Sequence, residues 1–258
     1  MKGRNKDEIL IKTPEEIEGI RKSSKLAASV LDFIVPYVVP GVTTMELDNM
    51  MNVYIQQNGG VSACIGYHGY PRYTCISVND VVCHGIPSEK QVLKDGDIVN
   101  IDVTTIVDGY FGDTSRMYLL GNVSREAKKL VEVTKACLDI GIEQIRPGNH
   151  FGNIGYEIAL YAERLGYSVV RDFTGHGTGV YFHEAPMVFH KAPKNSGELM
   201  EEGMIFTVEP MINIGTYHTK IDQKDGWTAR TKDGKWSAQY EHTILVTSDG
   251  YEVLTVNP

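Results

Sequence analysis

The chain has 258 residues, a length that suits one or two domains and allows a large core without disulfide staples. Hydrophobic residues make up 42% and charged residues 22%, which excludes a disordered chain. Lys+Arg 25 against Asp+Glu 33 gives a net charge of −8 with no long basic run, so nucleic acid and anionic membranes are poor partners.

The first residues, up to Lys25, contain no apolar core of signal-peptide length. Thr13-Pro14-Glu15-Glu16 predicts a helix start: Thr13 as cap, Pro14 in the first position, Glu16 closing a capping box. Apolar residues keep helical spacing from Ile17 to Ile34, ahead of Pro36. The stretch from Leu26 to Val42 is interrupted by Asp32, Pro36 and Pro40 and is too short to span a bilayer. A second helix is predicted from Thr43-Thr44 to the Gly59-Gly60 stop. Strand-like segments follow at Thr74–Val78, Ile98–Val107 and Tyr110–Leu119. Ser124 opens a third helix to Ile145, and a fourth runs from Asn149 to Leu165 before Gly166. Further strands are predicted at Ser168–Phe173, Met204–Ile212 and Gln239–Thr247. Cys64, Cys75, Cys83 and Cys137 form no disulfide framework, which points to a reducing compartment and a cytoplasmic protein.

The two helix pairs are related. Pro40-Gly41 and Pro147-Gly148 lie 107 residues apart, and at that offset Leu47 meets Ile154, Met51 meets Ile158, Tyr54 meets Tyr161 and Gly59 meets Gly166. A duplicated helix-helix-strand unit explains these matches better than chance between amphipathic helices. The expectation is an α+β fold, with a mainly antiparallel sheet covered on one face by helices. A single catalytic domain over 1–258 is expected, with pseudo-repeat halves at 13–120 and 121–250 and a site at their junction.

Asp108-Gly109 is a strong hairpin signal between two strands. A two-residue turn there sets Asp102 opposite Ser115, so Asp102 and Asp113 become diagonal neighbours on one face. Two carboxylates so placed can share a cation or hold two adjacent ones; without a cation one must take up a proton. The alternative is two solvated aspartates on an outer face. Glu209 and Glu241 also fall in strand-like segments, where acids are depleted, with a water-facing edge strand as the alternative. His176 lies among three glycines in Gly175-His176-Gly177-Thr178-Gly179, and His183 and His84 have aromatic or glycine neighbours. Four carboxylates match the charge of two divalent cations, and a carboxylate-rich set with one imidazole suits Mn²⁺, Fe²⁺, Co²⁺ or Zn²⁺. Such a centre is the machinery of metal-assisted amide hydrolysis.

With these residues in hand, the chain resembles the type I methionine aminopeptidases of the short bacterial class. The matching segments are Cys64-Ile65-Gly66-Tyr67-His68-Gly69-Tyr70-Pro71, Ser77-Val78-Asn79-Asp80 with Val82-Cys83-His84-Gly85-Ile86-Pro87, and Gly96-Asp97-Ile98-Val99-Asn100-Ile101-Asp102. They continue with Gly112-Asp113-Thr114, Gly175-His176-Gly177, Thr207-Val208-Glu209-Pro210 and Ser237-Ala238-Gln239-Tyr240-Glu241-His242-Thr243, in the family's order.

The resemblance implies the pita-bread α+β fold, with halves related by a pseudo-two-fold axis. It implies Asp102, Asp113, His176, Glu209 and Glu241 as metal ligands, with Asp113 and Glu241 bridging two divalent ions (Co²⁺, Mn²⁺, Fe²⁺ or Zn²⁺). Asp102 would belong to one ion, His176 and Glu209 to the other. The implied reaction is removal of the initiator methionine from nascent polypeptides by a metal-bound hydroxide, where the second residue is small. Glu209 is then the proton shuttle, His183 the group facing the developing oxyanion, and His84 a hydrogen-bonding partner of the substrate backbone or leaving amine. Cys64, Tyr67, Tyr70, Cys75, Phe182 and Trp227 would line the methionine pocket, where a thioether suits rings and thiols; plain core packing is the alternative for the two cysteines. His68 matches a family residue near the site without an assigned role. The implied partners are polypeptide N-termini and, transiently, the ribosome; a monomer with no membrane or nucleic-acid contact is expected. A proline-specific peptidase of the same fold and a binding protein that lost its chemistry are the competing readings.

Overall fold

The computed structural model describes residues 4–256; residues 1–3 and 257–258, included in the single-domain expectation, lie outside the described ones. Helix α1 (Pro14–Ile34) starts on the expected capping box, with the Thr13 hydroxyl accepting from the Glu16 N–H and the Glu16 carboxylate accepting from the Thr13 N–H. Thr43 and Glu46 repeat the same box at α2 (Thr44–Gln57). Ser124 caps α3 (Arg125–Ile142). Helix α4 (Gly152–Arg164) begins after, not at, Asn149, because residues 149–151 pair with the 198–200 segment instead. Beyond Ile142 the chain turns through reverse-turn bonds at Gln144 and Ile145, so α3 stops short of Ile145.

The hairpin is formed as the Asp-Gly pair dictates. Ile98–Val107 and Tyr110–Leu119 pair without a slip, from Ile98 opposite Leu119 to Val107 opposite Tyr110. Asp108 and Gly109 hold φ of 52° and 87°, the left-handed pair a tight hairpin turn demands. Asp102 stands opposite Ser115, as expected.

Thr74–Val78 shortens by one residue to Cys75–Val78; three other predicted strands are cut further, and two of them break at a carboxylate. Met204–Ile212 divides into Ile205–Val208 and Met211–Asn213, with Glu209-Pro210 between them. Gln239–Thr247 divides into Ser237–Gln239 and His242–Val246, with Tyr240-Glu241 between. Each break is where the chain leaves one sheet for another, since Ile205–Val208 pairs with His242–Val246 and Met211–Asn213 pairs with Ser237–Gln239. Pro210 cannot donate to a ladder, which favours the break there. Ser168–Phe173 keeps only Ser168–Val169 as strand before the chain turns Phe173 into a cavity. The expected single sheet is therefore several smaller ones among the described residues, every pairing antiparallel.

The offset of 107 recurs in the hydrogen bonds. The Gly41 N–H donates to the Leu93 carbonyl at 2.8 Å, and the Gly148 N–H to the Met200 carbonyl at 2.9 Å. Thr43 bridges Val92 as His150 bridges Leu199. Leu47, Met51, Ile154 and Ile158 are all fully buried, the first two in the core under α1 and α2, the others in the core under α3 and α4. At the same offset Asp102 corresponds to Glu209. Ser115, the partner of Asp102, exchanges backbone hydrogen bonds of 3.4 and 3.2 Å with Glu241, which follows the pairing of Val208 with His242. The segments that carry Asp102, Asp113, Glu209 and Glu241 thus meet through adjoining strands. Among the described residues no helix is long and apolar enough to cross a membrane.

Candidate metal centre

A cavity of about 870 Å³ opens at this junction. Its floor carries Asp102, Asp113, His176, Glu209 and Glu241. Gly175-His176-Gly177 is a short strand squeezed between neighbours: a Cβ on Gly177 would lie 2.1 Å from the Ala185 carbonyl oxygen, and one on Gly175 2.4 Å from that of Thr207. The flanking glycines therefore allow the close approach that brings the imidazole to the acids. His176 Nδ1 donates to the Gly177 carbonyl at 3.0 Å, which leaves Nε2 as a lone pair aimed inward. That Nε2 lies 3.7 Å from Asp113 Oδ2 and 3.6 Å from Glu209 Oε1. Ligand atoms of Asp113, His176 and Glu241 all lie within 4.8 Å of one another.

The surroundings cannot support four ionised carboxyls unaided. Burial raises Asp113 to about 7 and Glu209 to about 8. Burial, with the neighbouring acids adding to it, raises Asp102 and Glu241 well above the usual range. Burial holds the imidazoles neutral, His176 and His84 at about 4 and His183 at about 2. Asp102 Oδ1 is buried without a hydrogen-bond partner. A divalent cation would answer each of these features: it would compensate the charge, engage the lone pair of His176 and give Asp102 a partner. The donor set fits such an ion.

Several residues that orient these acids escaped the sequence reading. Thr104 Oγ1 donates to Asp113 Oδ1 at 2.7 Å, Thr207 Oγ1 to Glu209 Oε1 at 2.8 Å, and Gln239 Nε2 to Glu209 Oε2 at 3.1 Å. The Glu209 N–H donates to His190 Nε2 at 3.0 Å. For Thr104, Thr207 and Gln239 the available signal was a polar residue two positions from an acid in a buried segment, where it needs a partner; His190 carries no such signal.

All the other predicted site residues line the same cavity. Cys64, Tyr70 and Cys75 form a buried cluster, with Phe182 and Trp227 packed against it. The Tyr70 hydroxyl lies 3.0 Å from the carbonyl oxygens of both Thr74 and Gly85, which share its one proton and satisfy it inside the cluster. Tyr70 meets Trp227 edge-on at 5.1 Å, and Tyr67 lies 4.6 Å from Phe182. Asp225 accepts the N–H groups of Trp227 and Thr228 at 2.8 and 2.9 Å and fixes the loop that carries the indole. His84 adopts φ 56° and meets the rings of Phe173 and Trp227 edge-on. His183 lies 4.1 Å from the His176 ring. His68 also lines the cavity, edge-on to Tyr67.

The profile of Metallopeptidase family M24 matches residues 18–248. The chain belongs to this family. A methionine aminopeptidase of Salmonella typhimurium is 52% identical over 249 residues, which cover 96% of this chain and 94% of that protein. The crystal structure of methionine aminopeptidase from Rickettsia prowazekii superposes with a TM-score of 0.95 at 49% identity, over 96% of this chain and 100% of that one. A prolidase from Pyrococcus furiosus shares the fold alone, with a TM-score of 0.77 at 22% identity; the match covers 98% of this chain but 67% of the prolidase chain. The fold is the pita-bread α+β fold of the family.

Proposed function

We infer that this chain removes methionine from the amino terminus of polypeptides, as a metal-dependent aminopeptidase. The observation that carries the reading is one cavity with two chemically distinct walls. Buried acids with one imidazole form the first; thiols and aromatic rings shaped for a thioether form the second. The high identity to methionine aminopeptidases over almost the whole chain supports the same reading.

Asp102, Asp113, His176, Glu209 and Glu241 would hold two divalent ions. Four carboxylates balance two dications, and Co²⁺, Mn²⁺, Fe²⁺ and Zn²⁺ all suit the donors. When bound, such ions supply a nucleophilic water near neutral pH and polarise the scissile carbonyl. The protein's own groups do the rest. Cys64, Tyr67, Tyr70, Cys75, Phe182 and Trp227 seat the methionine side chain and exclude water from it. Glu209, steadied by Thr207 and Gln239, takes a proton from the attacking water and delivers it to the leaving amine. His183 is neutral, so a ring N–H can donate to the carbonyl oxygen as negative charge grows there. His84, neutral and held by two aromatic rings, hydrogen-bonds the substrate backbone or the departing amine. Crowding by His84 and the acids confines the second substrate residue to small side chains.

The chain works as a single catalytic domain with related halves at 13–120 and 121–250. Its setting is the cytoplasm, where it acts as a monomer on emerging polypeptides in transient contact with the ribosome.

The test is hydrolysis of Met-Ala-Ser, Met-Arg-Ser and Pro-Ala-Ser by metal-stripped protein restored separately with Mn²⁺, Co²⁺, Fe²⁺ or Zn²⁺. Metal-dependent cleavage of Met-Ala-Ser alone is expected. Preferential cleavage of Pro-Ala-Ser would transfer the reading to a proline-specific peptidase. No cleavage by folded, metal-loaded protein would leave a binding protein.

A further inference from the structure

One fully buried ion pair has no part in the chemistry above. Lys12 Nζ contacts the Glu184 carboxylate, and their side chains are 1% and 0% exposed. Glu184 lines the cavity next to His183, and Lys12 compensates its charge there. Burying both charges is a poor route to stability, because an apolar pair of similar volume does as well or better. An orienting role accounts for the pair. The second oxygen of Glu184 accepts the Tyr181 N–H at 3.0 Å, which closes the loop on which Phe182 and His183 ride.

Residues 4–12 contain no helix, and their ties run in two directions. The Lys12 N–H donates to the Gly203 carbonyl at 2.8 Å and Ile11 bridges Met204, at the foot of the strand that leads to Glu209. Arg4 clasps the Glu16 carboxylate at 2.9 and 2.7 Å, on the first turn of α1. From these anchors the segment reaches the loop twice more. The Ala185 N–H donates to the Lys6 carbonyl at 2.8 Å, and the Tyr181 hydroxyl donates to the Arg4 carbonyl at 2.7 Å.

We propose that residues 4–12 form a strap that fixes the 181–185 loop over the acids, locked by the Lys12–Glu184 pair, and that Lys12, Glu184 and Tyr181 are positioning residues for the reaction. They act through His183, so the proposal rests on the role given to His183 above. Misplacing a reacting group by about 1 Å costs about 100-fold in rate, which sets the scale of the effect.

The test combines kinetics with hydrogen exchange on the full-length, Mn²⁺-loaded enzyme. Lys12→Met keeps the aliphatic stem and cuts the lock; kcat for Met-Ala-Ser should fall about 10- to 100-fold while Mn²⁺ affinity stays within about twofold. Tyr181→Phe cuts only the outer tie and leaves folding intact even if Lys12→Met does not fold; a loss of about three- to tenfold is expected. In both variants amide exchange should quicken in residues 178–187 and stay unchanged in residues 205–211. On a His183→Ala background neither substitution should lower kcat further, whereas a merely structural role would lower it in both backgrounds alike. Unchanged kcat with unchanged loop exchange, or an equal loss in the two backgrounds, overturns the proposal. Should His183→Ala alone retain full activity, the role of His183 fails, and loop exchange in Lys12→Met and Tyr181→Phe then decides by itself whether the strap holds the loop.

Discussion

Removing the metal should make the stability of this protein fall with rising pH, and the metal should cancel the fall. In the unfolded chain the carboxyls of Glu209 and Glu241 titrate near ~4 and are ionised at neutral pH. In the metal-free fold, burial lifts Glu209 to about 8 and Glu241 well above its ordinary value, so both keep their protons there. The folded state then binds more protons than the unfolded one, and stability declines as pH rises between the unfolded and folded pKa values. Each retained proton is worth ~1.4 kcal/mol per pH unit, so these two give about 3 kcal/mol between pH ~6.5 and ~7.5, and Asp102, raised in the same way, adds to that. That is a large share of the 5–15 kcal/mol or so that holds a domain together. Cation binding ionises these acids in the fold and removes the slope. Buried neutral histidines such as His84 and His183 act with the opposite sign, since their contribution is lost as pH falls through the unfolded value near ~6.5. They are neutral with or without metal and cancel in the difference. The assay is urea unfolding at both pH values, in chelator and in saturating Mn²⁺. The gap between loaded and stripped protein should widen by at least about 3 kcal/mol over that pH unit. A gap that stays constant with pH would refute the reasoning, because it would mean that the acids release no protons when the ion binds.

Other perturbations separate the parts of the site. Thr104→Val removes the donor to Asp113 Oδ1 and should weaken Mn²⁺ binding about 10- to 100-fold by calorimetry, and the stability gained at a fixed, saturating Mn²⁺ concentration should fall with it by about 1.4–2.7 kcal/mol. Trp227→Ala opens the apolar wall and should lower kcat/KM for Met-Ala-Ser about tenfold or more while metal affinity holds. Met51→Ala, in the fully buried core beneath α2, should cost about 2–5 kcal/mol in urea unfolding and leave kcat unchanged below the unfolding transition.

The parts of the fold that were legible in the sequence are those fixed locally. The capping boxes, the Asp108-Gly109 turn and the register that sets Asp102 opposite Ser115 each depend on a few adjacent residues, and each is formed. The acids could be singled out as chemical types, but not the strand breaks at Glu209 and Glu241, because a change of sheet is decided by partners far along the chain. The same holds for Thr104, Thr207, Gln239 and His190. A polar residue on a strand acquires its meaning only when a carboxylate from elsewhere arrives within hydrogen-bond distance. Lys12 and Glu184 lie 172 residues apart and carry no local pattern, so nothing in the sequence joined them. The offset of 107 was visible at six positions, and the hydrogen bonds of Gly41 and Gly148 extend it to the backbone.

The central claim is that the acids at the junction bind the ions on which methionine removal depends. The most direct measurement titrates Mn²⁺ into metal-free protein and records bound ions and Met-Ala-Ser turnover in the same samples, for the native chain and for Asp113→Asn. Turnover should be absent without the ion, rise with the amount bound, and vanish together with tight binding in Asp113→Asn. Turnover by ion-free protein, or an Asp113→Asn variant that binds Mn²⁺ and cleaves as the native chain does, would contradict the account.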